Sequence, residues 1–117
     1  MGRRNFDMPY ISITGLRLKS PLHAPIFWWH AIRSMAQAQN APGNISTTTR
    51  TINGIHHTLS VWQNKAAMRA YLVAGAHVKA MRIYKNIATG KVLGFEADTA
   101  PNWDEVHVLW KTRGREV

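Results

Sequence analysis

An α+β sandwich of the split-βαβ, ferredoxin-like kind is what this sequence predicts, with one strand added at the C-terminus. Three observations carry the prediction. Short runs that alternate side chains between two faces mark strands, and two longer stretches repeat apolar residues at helical spacing. Their order is β-α-β-β-α-β, plus one further strand. Asn53-Gly54 sits between the second and third strands, where a two-residue hairpin turn is required. At 117 residues the chain reads as a single domain, 1–117, with no internal repeat.

Residues 1–8 read as a flexible arm, ahead of a first strand running to Leu18. Ile11 and Ile13 share one face of that strand, and Leu16 and Leu18 share the other, so the phase changes at Gly15 and predicts a bulge there. Ser20-Pro21 and Pro25 bracket the start of a helix that ends near Asn40. Its predicted core face is Trp28, Ile32, Met35 and Gln39, with Phe27 and His30 pointing elsewhere. After the breaker Ala41-Pro42-Gly43-Asn44, ISTTTRTI is the second strand and His56–Trp62 the third.

Asn64 reads as the N-cap of KAAMRAYLVA, and beyond Gly75 the helical pattern resumes and stops at Gly90. On a helical wheel Ala70, Val73, His77, Met81 and Tyr84 form one stripe, while Lys79, Arg82 and Lys85 face water. KVLGFEAD is the fourth strand. EVHVLWKTR, after the turn at Pro101-Asn102, reads as the fifth, with Val106, Val108 and Trp110 alternating.

Composition narrows the chemistry. There is no cysteine, which excludes disulfides, thiolate catalysis and cysteine-held zinc or iron–sulfur clusters. The formal net charge is +9, and between residues 8 and 95 ten Lys or Arg face no acid at all. Carboxylate pairs, Ser-His-Asp triads and oxygen cages for hard cations therefore have no material over most of the chain. The field favours anionic ligands, but the basic residues are scattered and no nucleic-acid-binding signature is present, so only weak, nonspecific nucleic-acid binding is expected. No apolar run approaches the ~20 residues of a membrane span, and MGRRNFDMPY lacks the apolar stretch of a signal peptide. A cytoplasmic protein with no membrane partner is the expectation.

With carboxylates absent between residues 8 and 95, acid–base work falls to histidine. His56 and His57 are neighbours on a strand and so face opposite ways, which argues against a shared metal ion. His77 combines an apolar stripe with burial. It is either a core histidine with its ring N–H on a backbone carbonyl, or a pocket base, ligand donor or metal ligand. Burial keeps its ring neutral, as a base requires.

The run TLSVW, the capped helix after it, and His77 with Ala80-Met81 beyond resemble antibiotic-biosynthesis-monooxygenase-like and spheroidene-monooxygenase-like proteins. The resemblance covers residues 56–84 and implies the dimeric α+β barrel: a homodimer paired through its sheets, with a pocket between sheet and helices in each subunit. His77 falls at that family's histidine position. Family members include cofactor-free and haem-dependent oxygenases, so the cofactor is none or haem. As an oxygenase for a planar or polyene substrate, the chain would use Trp28, Trp62 and Met81 as an apolar wall and His77 as base or iron ligand. Arg50 and Tyr71 would be the polar groups nearest to it, with Arg50 able to hold an anionic group. The other reading is a non-catalytic binding module with the same pocket.

Overall fold

The structure, a computed structural model, describes residues 8–117. Apart from Met8, the arm expected at 1–8 lies outside the described residues. The elements are β1 (Tyr10–Leu18), a single 3-10 turn (Pro21–His23), α1 (Ala24–Asn40), β2 (Asn44–Ile52), β3 (Ile55–Trp62), α2 (Lys65–Leu72), α3 (Gly75–Ile87), β4 (Ala88–Glu96), α4 (Trp103–Arg113) and β5 (Arg115–Glu116). The five strands form one antiparallel sheet in the order β2-β3-β1-β4-β5. This is the predicted α+β, ferredoxin-like layout, although its fifth strand is the two-residue β5 at the very end and not the segment expected to form it.

Local chemistry explains the joints. Asn53 and Gly54 both take positive φ, 52° and 78°, as the hairpin turn between β2 and β3 demands. The Asn64 side chain accepts from the Ala67 amide and opens α2. Gly75, at φ 50°, breaks α2 from α3 and re-aims the second helix. Ala70 and Val73 are consequently exposed and leave the expected stripe, which keeps only His77, Met81 and Tyr84. The helix also stops earlier than Gly90, because Ala88 already pairs with Leu18 as the first residue of β4.

Each face of the sheet is covered by helix. Helices α1, α2 and α3 lie on one face, where Phe27, Ala80, Tyr84 and Ile87 pack together and Tyr10, Ala38, Trp62 and Met68 form a second cluster. The opposite face carries the main core, Ile11, Ile13, Ile55, Leu59 and Val61, beneath Val106 and Trp110 of α4.

Two expectations fail at that second face. EVHVLWKTR is α4 and not a strand: Asn102 and Glu105 form a reciprocal capping box that starts a helix, and Val106 and Trp110, four apart, supply its buried side. Val108 is 58% exposed, as a helix requires and a core strand does not. There is also no bulge at Gly15, where β1 pairs without interruption, Gly15 facing His57 on one side and Lys91 on the other. The missing apolar side chain is the space that α4 needs, since a Cβ on Gly15 would lie 2.5 Å from the Trp110 indole and 2.9 Å from His57.

The packing of α1 is corrected too. Its buried residues are Phe27, Ser34 and Ala38, whereas Trp28, Ile32 and Gln39 are exposed and Met35 is half-buried. Small residues let α1 sit close against α3 and the sheet, so the largest side chains are the wrong guide to its inner face. Among the described residues no helix is long and apolar enough to cross a membrane.

Candidate functional site

Strand alternation on the inner face builds the floor of a cavity. Register places Thr47, Ser60 and Ser12 side by side across β2, β3 and β1, then Thr49, Thr58 and Thr14, then Thr51, His56 and Leu16. A half-buried sheet face normally presents apolar side chains to its helices. Here two full rows are hydroxyls. Ser60 accepts from the Trp62 indole at 2.9 Å, Thr47 from Asn44 at 2.8 Å, and Thr51 pairs with His56 at 2.8 Å. The hydroxyls of Ser12, Thr14, Thr49 and Thr58 have no hydrogen-bond partner among the described residues, and all four residues line the cavity.

The roof is apolar and aromatic. From α1 come Phe27, Trp28, Ala31, Ile32 and Met35, and from α2 and α3 come Met68, Tyr71, Leu72, His77, Met81 and Tyr84. The cavity, open on one side, has a volume of about 360 Å³, inside the ~300–1,000 Å³ range of small-molecule sites.

His77 is held from two sides. Its backbone amide donates to Gln37 Oε1 at 2.9 Å, and its Nδ1 donates to the Leu72 carbonyl at 3.1 Å. That bond fixes the neutral tautomer with Nε2 as acceptor. Burial lowers the His77 pKa below the ordinary histidine value, with the Leu72 bond partly opposing. Its ring lies 4.7 Å from Tyr71, whose own ring stacks on Trp62 at 5.2 Å. The Tyr71 hydroxyl donates to the Ser34 carbonyl at 3.1 Å and meets Ser34 Oγ at 2.8 Å, while burial raises its pKa. The ring N–H of His77 is satisfied by a carbonyl, and the side chain lines the cavity.

The other expected residues divide. Trp28, Tyr71 and Met81 line the cavity with His77. Trp62 does not. It is fully buried behind Tyr71 and supports that ring instead of meeting a ligand. Arg50 borders the cavity but is exposed and paired in register with His57, on the opposite sheet face, with its guanidinium 5.6 Å from the Trp103 ring of α4. It is not placed to hold an anion beside His77.

The cavity has a second histidine that the sequence does not single out. His56 packs its ring 4.9 Å from Phe27 and 5.1 Å from Trp28, near the start of α1, while His77 meets Gln37 near its end. Burial lowers the His56 pKa as well. The serine and threonine alternation of three strands stands in the sequence, but that this polar face points inward is seen only once the helices are placed over it. His57 faces the other way, as expected from alternation, and its Nε2 meets His107 Nδ1. Among the described residues no cluster of three or more His, Cys, Asp or Glu is placed to hold a metal ion.

Haem finds a donor in His77 Nε2 but the surroundings do not fit it. Among the described residues Arg50 is the only Lys or Arg at the cavity, and its guanidinium is engaged on Trp103, so carboxylate side arms have no cation to meet. The volume is also near the small end of the ligand range.

No protein-family model and no curated protein matches the sequence. Solved structures do match in fold. The cofactor-independent oxygenase SnoaB from Streptomyces nogalater superposes with a TM-score of 0.67 at 14% identity, over 80% of this chain and 96% of that one. A candidate antibiotic biosynthesis monooxygenase from Deinococcus radiodurans gives 0.69 at 21% identity, over 80% and 96%. A Bacteroides thetaiotaomicron protein of unknown function, for which an oxidoreductase role has been suggested, gives 0.69 at 16%, over 78% and 99%. The chain has the fold of the antibiotic-biosynthesis-monooxygenase-like proteins.

Proposed function

We propose that the protein binds a flat, electron-rich small molecule carrying several oxygen substituents, and oxygenates it without a cofactor. The observation that carries this reading is the cavity's division into a hydroxyl floor and an aromatic roof. Ser12, Thr14, Thr49 and Thr58 suit hydroxyl or carbonyl groups along one side of such a molecule, and Phe27, Trp28 and Tyr84 suit its ring faces. Without a cationic side chain directed inward, a neutral molecule is preferred over a permanent anion.

His77 supplies the base. Its free Nε2 accepts the proton of a phenolic or enolic group, and the neighbouring hydroxyls stabilise the resulting anion. In a cofactor-free reaction the substrate is its own reductant. An activated ring methylene and one molecule of dioxygen then give a ring carbonyl and one molecule of water. The carbon loses both hydrogens and is oxidised, one oxygen atom stays on it, and the other leaves as water with those two hydrogens.

The test is a pair of measurements with a trihydroxynaphthalene: tryptophan-fluorescence titration for binding and an oxygen electrode for uptake. Saturable binding with oxygen uptake is expected. Binding without uptake would leave the binding-module reading, and neither would remove the proposal. The homodimer implied by the family resemblance belongs to the same proposal. Because α4 already covers Leu59 and Val61, the surface available for pairing is the rest of that sheet face, with Thr48 and Arg50 exposed on β2. Light scattering should give twice the chain mass, and a stable monomer at micromolar concentration overturns it.

A further inference from the structure

The outer side of α1, together with the 3-10 turn that leads into it, is apolar where a solvated helix is polar. Leu22, Pro25, Trp29, Ile32 and Ala36 follow at alternating spacings of three and four residues, and every one of them is exposed. Leu22 is 88% exposed, Trp29 62% and Ile32 66%. A single exposed leucine needs no explanation, whereas a continuous stripe along a helix does.

The charges around that stripe are all of one sign. Helices α1, α2 and α3 carry Arg33, Lys65, Arg69, Lys79, Arg82 and Lys85, and no Asp or Glu. All six are exposed, so this layer joins an apolar ridge to a basic field. Arg33 lies 5.5 Å over the Trp29 ring, keeping a cation beside the largest apolar group of the ridge.

We propose that the outer face of the α1–α3 layer docks on an anionic lipid bilayer, with the Leu22–Trp29–Ile32 ridge entering the interface and the basic residues meeting lipid phosphates. Apolar side chains with tryptophan and flanking lysine or arginine are what an interface-lying helix needs. The absence of a spanning run, which led to the expectation of no membrane partner, bears only on crossing the bilayer and not on lying on it. A second copy of this chain fits less well. It would bring the same cations without a counter-charge, and two heptads make a short seam. Nucleic acid offers the phosphates but has no use for an apolar ridge at the centre of the contact. Of the ridge residues Ile32 alone also borders the cavity, so the proposal does not depend on which molecule the cavity binds.

Co-sedimentation of the full chain with vesicles tests it, using phosphatidylcholine alone and phosphatidylcholine with phosphatidylglycerol. Leu22→Ser with Trp29→Ser removes the ridge, and Lys79→Gln with Arg82→Gln and Lys85→Gln removes part of the field. Both sets alter exposed side chains outside the cavity, and an unchanged thermal melt confirms folding. Wild type should bind only the anionic vesicles, with a blue shift of tryptophan emission. The ridge variant should bind at least about tenfold more weakly. Each lysine or arginine near an anionic surface contributes about fivefold, so the charge variant should fall further. No binding overturns the proposal, and so does binding that the ridge variant retains in full, which is simple ion attraction. A wild-type dimer that the ridge variant converts to monomer overturns it in favour of self-association. Binding of an oligonucleotide that the ridge variant loses equally overturns it in favour of nucleic acid.

Discussion

His57 Nε2 lies 2.8 Å from His107 Nδ1, and this contact pins α4 to the sheet at the centre of the main core. His57 Nδ1 donates to the Thr14 carbonyl at 3.1 Å, so its Nε2 is the acceptor and His107 the donor. The pair spans fifty residues of sequence, and Trp110 meets both rings, edge-on to His57 at 4.9 Å and stacked on His107 at 5.9 Å. Removing His107 strands a buried acceptor, since His57 is 1% exposed. His107→Ala should therefore cost about 1–3 kcal/mol in a denaturant melt. A neutral result would mean that α4 is held by Val106 and Trp110 alone.

Acid should loosen the fold. Burial lowers the pKa of His56, His57 and His77 below the ordinary value of 6.5, and for His57 the nearby His107 and His56 add to the effect. The unfolded chain then binds protons that the folded chain refuses. Stability is fully present above about pH 6.5, declines as pH falls from there, and levels off once the folded-state pKa values are passed. Melting temperatures across that window at constant ionic strength check it. A melting temperature independent of pH there would show that these rings titrate as they do in water.

Gly15 is the other half of the α4 seat. A methyl group there meets the Trp110 indole at 2.5 Å and the His57 ring at 2.9 Å, too close for either to stay. Gly15→Ala should destabilise by about 1–3 kcal/mol, as overpacking does. It should also disturb the hydrogen bond from the Trp110 indole to the Lys91 carbonyl, now 2.9 Å. The indole N–H resonance reports that directly, and an unshifted resonance with full stability would refute the packing account.

How far the sequence reveals this molecule depends on which physical signal each element carries. Strands β1 to β4 and the hairpin declare themselves through alternation and Asn53-Gly54, which depend on few neighbours. α4 does not, because Val106, Val108 and Trp110 fit a strand by alternation, and Val106 with Trp110 fits a helix equally. The Asn102–Glu105 capping box decides between them, and it is legible without the structure. Gly15 looks like a break in phase until its neighbour is known, since the reason for it lies ninety-five positions away in Trp110. The cavity lining is legible at His77, Tyr71, Met81 and Trp28. His56 and the hydroxyl floor are not, because serine and threonine on a strand read as exposed residues, not as an inward face.

The floor should matter for ligand and hardly at all for folding. Thr14 and Thr58 are cross-strand neighbours whose hydroxyls have no partner among the described residues. Valine keeps their shape and β-branching, so Thr14→Val and Thr58→Val should leave the melt unchanged or slightly raised. Each hydroxyl that bonds ligand contributes about 0.5–1.5 kcal/mol, so affinity should fall about 2- to 10-fold per variant. Unchanged affinity in the double variant would move the ligand off the floor.

His77 carries the sharpest prediction, because packing and catalysis make opposite demands of it. Two attachments hold the residue, and one of them, the backbone amide on Gln37, survives any substitution except proline. The other, Nδ1 on the Leu72 carbonyl, ties the start of α3 to the end of α2. His77→Gln retains a polar side chain there and should lose about 1 kcal/mol or less. It has no basic nitrogen, however, and turnover of an oxygenated substrate should fall by about 10²- to 10⁴-fold, as for other lost general bases. The pH profile adds a second readout. Because the ring is kept neutral by burial, wild-type activity should rise with pH through a value below 6.5 and be flat at neutrality. The residual activity of His77→Gln should lack that acid limb. A variant that loses stability but keeps both ligand affinity and turnover makes His77 a packing residue, and the base would then have to be sought at His56, which also lines the cavity on the inner face of the sheet.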